Sequence, residues 1–105
     1  MGQFSVFRNK NPRSKTAFPF LLDVQSNLLD DLQTRVVIPL AKAPALAKKP
    51  ISTLSPLVEV QGHKYVLLTP QLAGISRSEL GPEVSNIAEH RDAVIAALDC
   101  LITGV

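Results

Sequence analysis

A helical spacing of apolar residues occurs in one stretch of this 105-residue chain, and that stretch lies at its end. Ile87, Arg91, Val94, Leu98 and Leu101, joined by Ala88, Ile95 and Ile102, recur at intervals of three and four residues. They predict one helix with a single packed stripe, running to about Ile102. Asn86 with Glu89 three residues on has the form of a capping box, which would start the helix there. Gly104 would stop it. Glu89, Asp92, Asp99 and Thr103 form the polar side.

Upstream the period changes to two. Phe4 and Val6 share one side of residues 3–7, and Phe18, Phe20, Leu22 and Val24 share a face of residues 18–24, with Leu21 and Asp23 opposite. Two strands are expected, paired antiparallel. Pro19 has no N–H to donate and belongs at an edge or bulge. Residues 35–40 read as a short third strand interrupted near its end by Pro39. Pro44, Pro50 and Pro56 exclude a long helix over residues 41–56, leaving room for one turn at 45–49. Residues 57–60 and 64–68 flank Gln61, Gly62 and His63 and read as a hairpin. A turn and then a short strand are expected over 71–80. Strands followed by one terminal helix indicate a single α+β domain, not a parallel α/β sheet. Hydrophobic residues are 46% of the chain, aromatics only 5% and Trp absent, so Leu, Val, Ile and Ala must build the core.

Catalytic side chains are few. Cys100 and His90 are ten residues apart on the same expected helix, about 15 Å along its axis and some 80° around it, so they cannot touch. Cys100 reads as a packing residue and His63 as a solvated turn residue. No metal site is expected from two histidines so placed, and no cofactor motif is present: Gly74-Ile75-Ser76-Arg77-Ser78 lacks the closing Gly of a nucleophile elbow. Asp30 and Asp31 are expected to be hydrated, not an acid–base pair.

Residues 1–15 hold no long apolar run, and nothing approaches the roughly 20 residues of a membrane span. Cytoplasm is the expected location, with no membrane partner. The net charge of +2 conceals a gradient. Residues 1–78 carry ten basic and four acidic side chains, and residues 79–105 carry one and five. Arg8, Lys10, Arg13, Lys15, Lys42, Lys48 and Lys49 offer a surface to nucleic acid or an acidic partner, or simply keep two loops solvated. Leu101, Ile102, Thr103, Gly104 and Val105 form an unusually apolar end. It either covers the helix edge or docks into a partner.

The run Asp23-Val24-Gln25-Ser26-Asn27-Leu28-Leu29-Asp30, followed by Arg35-Val36-Val37-Ile38-Pro39-Leu40, resembles the CcdB toxins of toxin–antitoxin modules. The Gln3-Phe4 opening, the prolines before the hairpin, and a helix ending in Gly104 and an aliphatic residue resemble them too. The resemblance spans essentially the whole chain. It implies a curled antiparallel sheet of the SH3-like barrel type shared with MazF and Kid toxins, a small side sheet and a C-terminal helix. It also implies a homodimer with the terminal helices near the two-fold axis. The implied activity is non-enzymatic: the dimer enters the DNA gyrase A-subunit dimer and traps the enzyme on cleaved DNA. A CcdA-type antitoxin would release it, and operator DNA would be bound only together with that antitoxin.

Carried over by position, the implied gyrase-facing residues are Ser26, Leu28, Leu29, Asp99, Thr103, Gly104 and Val105. Plasmid-type relatives carry Trp where this chain has Thr103, which moves the expected apolar contact toward Ile102 and Val105. Arg8, Lys10, Arg13, Lys48 and Lys49 are the expected antitoxin-binding residues, their charge being opposite to an acidic antitoxin tail. Two alternatives stand beside this one: a MazF-like endoribonuclease holding RNA on the basic loops, and a non-toxic remnant that binds antitoxin alone.

Overall fold

The long third strand organises the molecule, because it has a partner along one edge and two successive partners along the other. The computed structural model describes residues 2–44 and 52–104. Lys48, Lys49, Val105 and the helical turn expected at 45–49 lie outside the described residues. The strands are β1 (Ser5–Asn9), β2 (Phe20–Asp23), β3 (Thr34–Lys42), β4 (Leu57–Val60), β5 (His63–Leu67), β6 (Ala73–Ser76) and β7 (Leu80–Asn86); helix α1 (Arg91–Thr103) follows. They form one antiparallel sheet in the order β4-β5-β3-β2-β1-β7, with β6 also on β3. The sheet is curled into a half-barrel closed by α1. The expected side sheet is the β4–β5 hairpin, joined to the main sheet through β5.

β3 pairs with β6 over Thr34 to Val37 and with β5 over Leu40 to Lys42. Pro39 falls in the gap between these partners, and its carbonyl accepts from Leu68 N at 3.0 Å. A strand residue aims its N–H and C=O to the same side. The missing donor of Pro39 therefore faces the gap and costs no ladder bond to β2. That is why β3 runs through Pro39 to Lys42 instead of being interrupted there.

The inner face of the sheet packs Val6, Phe20, Leu22, Ile38, Leu40 and Leu67 against Ile87, Val94 and Ala97. A second cluster on the outer face joins Phe7, Leu21, Val37 and Leu80, with Ile75 packed against it. Both faces of β2 are thus buried, Leu21 and Asp23 included. Gln61 and Gly62, both at positive φ, make a two-residue hairpin turn of the kind that matches strand twist. His63 already belongs to β5, opposite Val60.

α1 begins at Arg91, four residues later than the capping-box pattern predicts. Asn86 is held as the last residue of β7, opposite Ser5, and its Oδ1 accepts from Ala88 N in a local turn. A 3-10 turn, Ala88–His90, then leads into the helix. Within α1 only Val94 and Ala97 are fully buried; the Arg91 side chain is largely exposed. The stripe is narrower than its spacing suggests: Arg91 and Asp92 at the start of the helix and Leu101 to Thr103 at its end are exposed. Gly104, at φ 77°, adopts the left-handed C-cap and donates to the Cys100 carbonyl at 3.0 Å. No helix among the described residues is long and apolar enough to cross a membrane.

Candidate functional site

Large apolar side chains left in water are grouped, not scattered. Among the described residues they are Leu28, Leu29 and Leu32 after β2, and Leu101 and Ile102 at the end of α1. Leu28 is 94% exposed and Ile102 is 77%. Single exposed leucines are ordinary on a monomer, whereas runs of them mark contact surfaces.

Leu28 and Leu29 of the first group sit on a 3-10 turn, Asn27–Leu29, none of whose residues is buried. Ser26 caps it, its Oγ accepting from Leu28 N at 3.2 Å. The turn is tied to the sheet by polar groups. Gln25 Nε2 donates to the Leu29 carbonyl at 2.9 Å, and its Oε1 accepts from Val36 N at 3.1 Å. Asn27 Oδ1 accepts from Gln3 N at 2.7 Å. Arg35, fully buried, donates from Nε to Asp23 Oδ2 at 2.9 Å and from Nη1 to Asp30 Oδ1 at 2.8 Å. Its Nη2 also lies 2.7 Å from Asp23 Oδ2, in an ion-pair contact without hydrogen-bond geometry.

Burial pushes the Asp23 carboxyl above its ordinary value, while Arg35 and the Gln25 N–H draw it back down. For Arg35 the order reverses: burial opposes its charge, but the two carboxylates outweigh that and raise its pKa, so the guanidinium stays protonated. Asp30 is therefore an ion-pair member, not the simply hydrated carboxylate its sequence context suggests. Asp31 is exposed.

The second group is the last turn of α1. Thr103 Oγ1 donates to the Asp99 carbonyl at 2.7 Å, linking two of the expected site residues. With its hydroxyl satisfied locally, Thr103 offers little apolar area, and Ile102 is the dominant exposed side chain of the described helix end. Asp99 and Gly104 are exposed. Among the described residues no hydrogen bond or ion pair joins this group to Ser26, Leu28 and Leu29. Leu32 is the apolar member that sequence reading missed; the intervening Asp30 and Asp31 hid its spacing.

The basic residues project from an ordered loop. Asn9 Nδ2 donates to Ser14 Oγ and to the Phe18 carbonyl, and Asn11 Oδ1 accepts from Arg13 N. Lys10, Arg13 and Lys15 are exposed along it, and Lys42 is exposed at the end of β3. Arg8 places its guanidinium 5.7 Å from the centre of the Phe20 ring, a cation–π contact. Beside this loop a cleft of about 210 Å³ opens on the outer sheet face, lined by Asn9, Phe18, Leu21, Val37 and Ile75 among others.

The chemistry-bearing groups are dispersed. His63 is exposed, Cys100 is half-buried, and His90 Nε2 accepts from the Glu59 N–H at 3.2 Å. No cluster of three metal-ligating side chains occurs among the described residues.

A curled antiparallel sheet with one C-terminal helix is also the fold of a solved structure described as an endoribonuclease in complex with its cognate antitoxin, from a mycobacterial species. The two superpose with a TM-score of 0.77 over 98% of this chain and 95% of that one, at 14% sequence identity. At that identity the likeness establishes the fold. The family model for the CcdB protein matches residues 3–104. The chain belongs to the CcdB family, the toxins of toxin–antitoxin systems.

Proposed function

We propose that this protein poisons DNA gyrase by binding its A subunit and holding the enzyme on cleaved DNA, with no catalysis of its own. The observation that carries this reading is the exposure pattern. Among the described residues, the large apolar side chains left in water lie at or beside the positions carried over from the family: Leu28 and Leu29 are two of them, and Leu101 and Ile102 fall between Asp99 and Thr103. Leu28, Leu29 and Ile102 supply the apolar contact, Gly104 and Val105 the segment that enters the partner, and Ser26, Asp99 and Thr103 its polar rim. A homodimer doubles this surface, giving two copies of a small hot spot about one axis. The protein acts where gyrase and DNA are, in the cytoplasm.

Arg8, Lys10, Arg13, Lys48 and Lys49 receive an acidic CcdA-type antitoxin, whose charge they complement. Toxin and antitoxin together bind operator DNA. Two groups with the chemistry for acid–base work have structural tasks instead: Asp30 pairs with Arg35, and His90 accepts the Glu59 N–H.

Purified protein mixed with gyrase, ATP and supercoiled plasmid should yield linear DNA after detergent and protease, and none without gyrase. A second reading, cleavage of RNA, is supported by the endoribonuclease that shares the fold. Scission of messenger RNA by the protein alone, with no gyrase-dependent linear DNA, would establish that reading and remove the first.

A further inference from the structure

None of the residues of the turn that carries Leu28 and Leu29, Asn27–Leu29, is buried, and the turn is tied to the sheet by side-chain hydrogen bonds. Its position is set by polar bonds, and those on its C-terminal side converge on one buried centre. Gln25 reaches the Leu29 carbonyl, Asp30 reaches Arg35 Nη1, and Gln25 N and Arg35 Nε both bond to the buried Asp23 carboxylate. We infer that Asp30, with Gln25 and Arg35, is a positioning residue that holds Leu28 and Leu29 ready for the partner. The inference rests on the reading of that pair as a gyrase contact.

The physical reason is preorganisation. A mobile turn must be ordered when it binds, and that ordering cost is subtracted from the contact energy. A turn already tied to a buried guanidinium has met the cost on folding. Asp30 is the tether that can be removed without opening the core, since its side chain is 41% exposed.

The test uses Asp30→Ala, Asp30→Asn and Leu28→Ser in the full chain. Binding to purified gyrase A subunit and amide hydrogen exchange of the free protein are both measured. Asp30→Ala should speed exchange at Leu29, Asp30 and Leu32, whose amides close the turn on Ser26, Asn27 and Leu29. Exchange in β2 and β3 should be unchanged, and affinity for the A subunit should fall roughly five- to tenfold. Asp30→Asn keeps an oxygen for Arg35 and should recover most of both effects.

Wild-type exchange in Asp30→Ala overturns the inference, as does faster exchange with undiminished affinity. Weakened binding in both Asp30 variants with wild-type exchange in each also overturns it, showing a direct charge contact with the partner. Leu28→Ser separates the two levels. If it binds the A subunit as wild type does, the contact reading itself fails, whatever the exchange data show about the tether.

Discussion

Arg35 and Asp23 meet with no side-chain surface exposed on either, their closest approach 2.7 Å between Nη2 and Oδ2. Burial of both charges makes each depend on the other. Losing one member of such a pair strands the other in a poorly solvated place, which costs more than the pair contributes.

Arg35→Met should destabilise the protein by about 3–5 kcal/mol at neutral pH, measured by urea unfolding. The penalty should shrink in acid. Arg35 is among the groups holding the Asp23 carboxyl down, so without it burial raises that carboxyl further above its ordinary 3.8. A folded pKa raised above the unfolded one gives stability that is full below the unfolded value and lost as pH rises through the folded value. The variant should therefore lose ground to wild type as pH is raised from about 4. A pH-independent difference would refute the pairing.

Ile102→Ser should change unfolding free energy by no more than about 0.5 kcal/mol, because the side chain is largely in water already. The same change should weaken gyrase A binding by about 2 kcal/mol, the size of a hot-spot loss. Deleting residues 103–105 should abolish toxicity in a growing culture and leave the circular dichroism spectrum intact. A truncated protein that still kills would displace the site from the helix end.

Thr103→Trp places an aromatic side chain at an exposed position in the last turn of α1. It adds area where Thr103 now spends its hydroxyl on the Asp99 carbonyl. Affinity for the A subunit should rise at least about tenfold, equivalent to 1.4 kcal/mol. Equal affinity would mean that this surface does not meet the partner.

Gly81→Ala should cost about 1–3 kcal/mol, read as a lowered melting temperature. A methyl group there would stand 2.7 Å from the Arg8 carbonyl oxygen, so β1 and β7 must part.

The elements that sequence made legible were those governed by local rules. The hairpin around Gln61 and Gly62, the β1–β2 pair, and the stop at Gly104 each follow from a few neighbouring residues. The start of α1 was misplaced because a long-range pairing decided it: Asn86 bonds to Ser5 across the sheet, and its local bond to Ala88 N closes only a turn. Pro39 was misread for the same reason, since only the change of partners along β3 shows that its missing donor costs nothing. The exposure of Leu28, Leu29 and Ile102 was legible as apolar residues set in polar surroundings. Leu32 and the Asp23–Arg35–Asp30 chain were not, because a buried arginine looks like any other strand residue until its carboxylates are brought beside it.

β1 lies between β2, which follows it closely, and β7, whose Asn86 is 81 residues away from its partner Ser5. During synthesis β1 and β2 can pair early, but the far edge of β1 stays open until the strand before the final helix has emerged. Such distant closure is slow, and it makes the synthesis of β7 the event that completes the sheet. A fragment ending at residue 79 should therefore be unfolded by amide exchange and cleared by proteases. The turn that carries Leu28 and Leu29 is made early, yet the sheet that supports it is complete only when residues 80–86 have paired with β1.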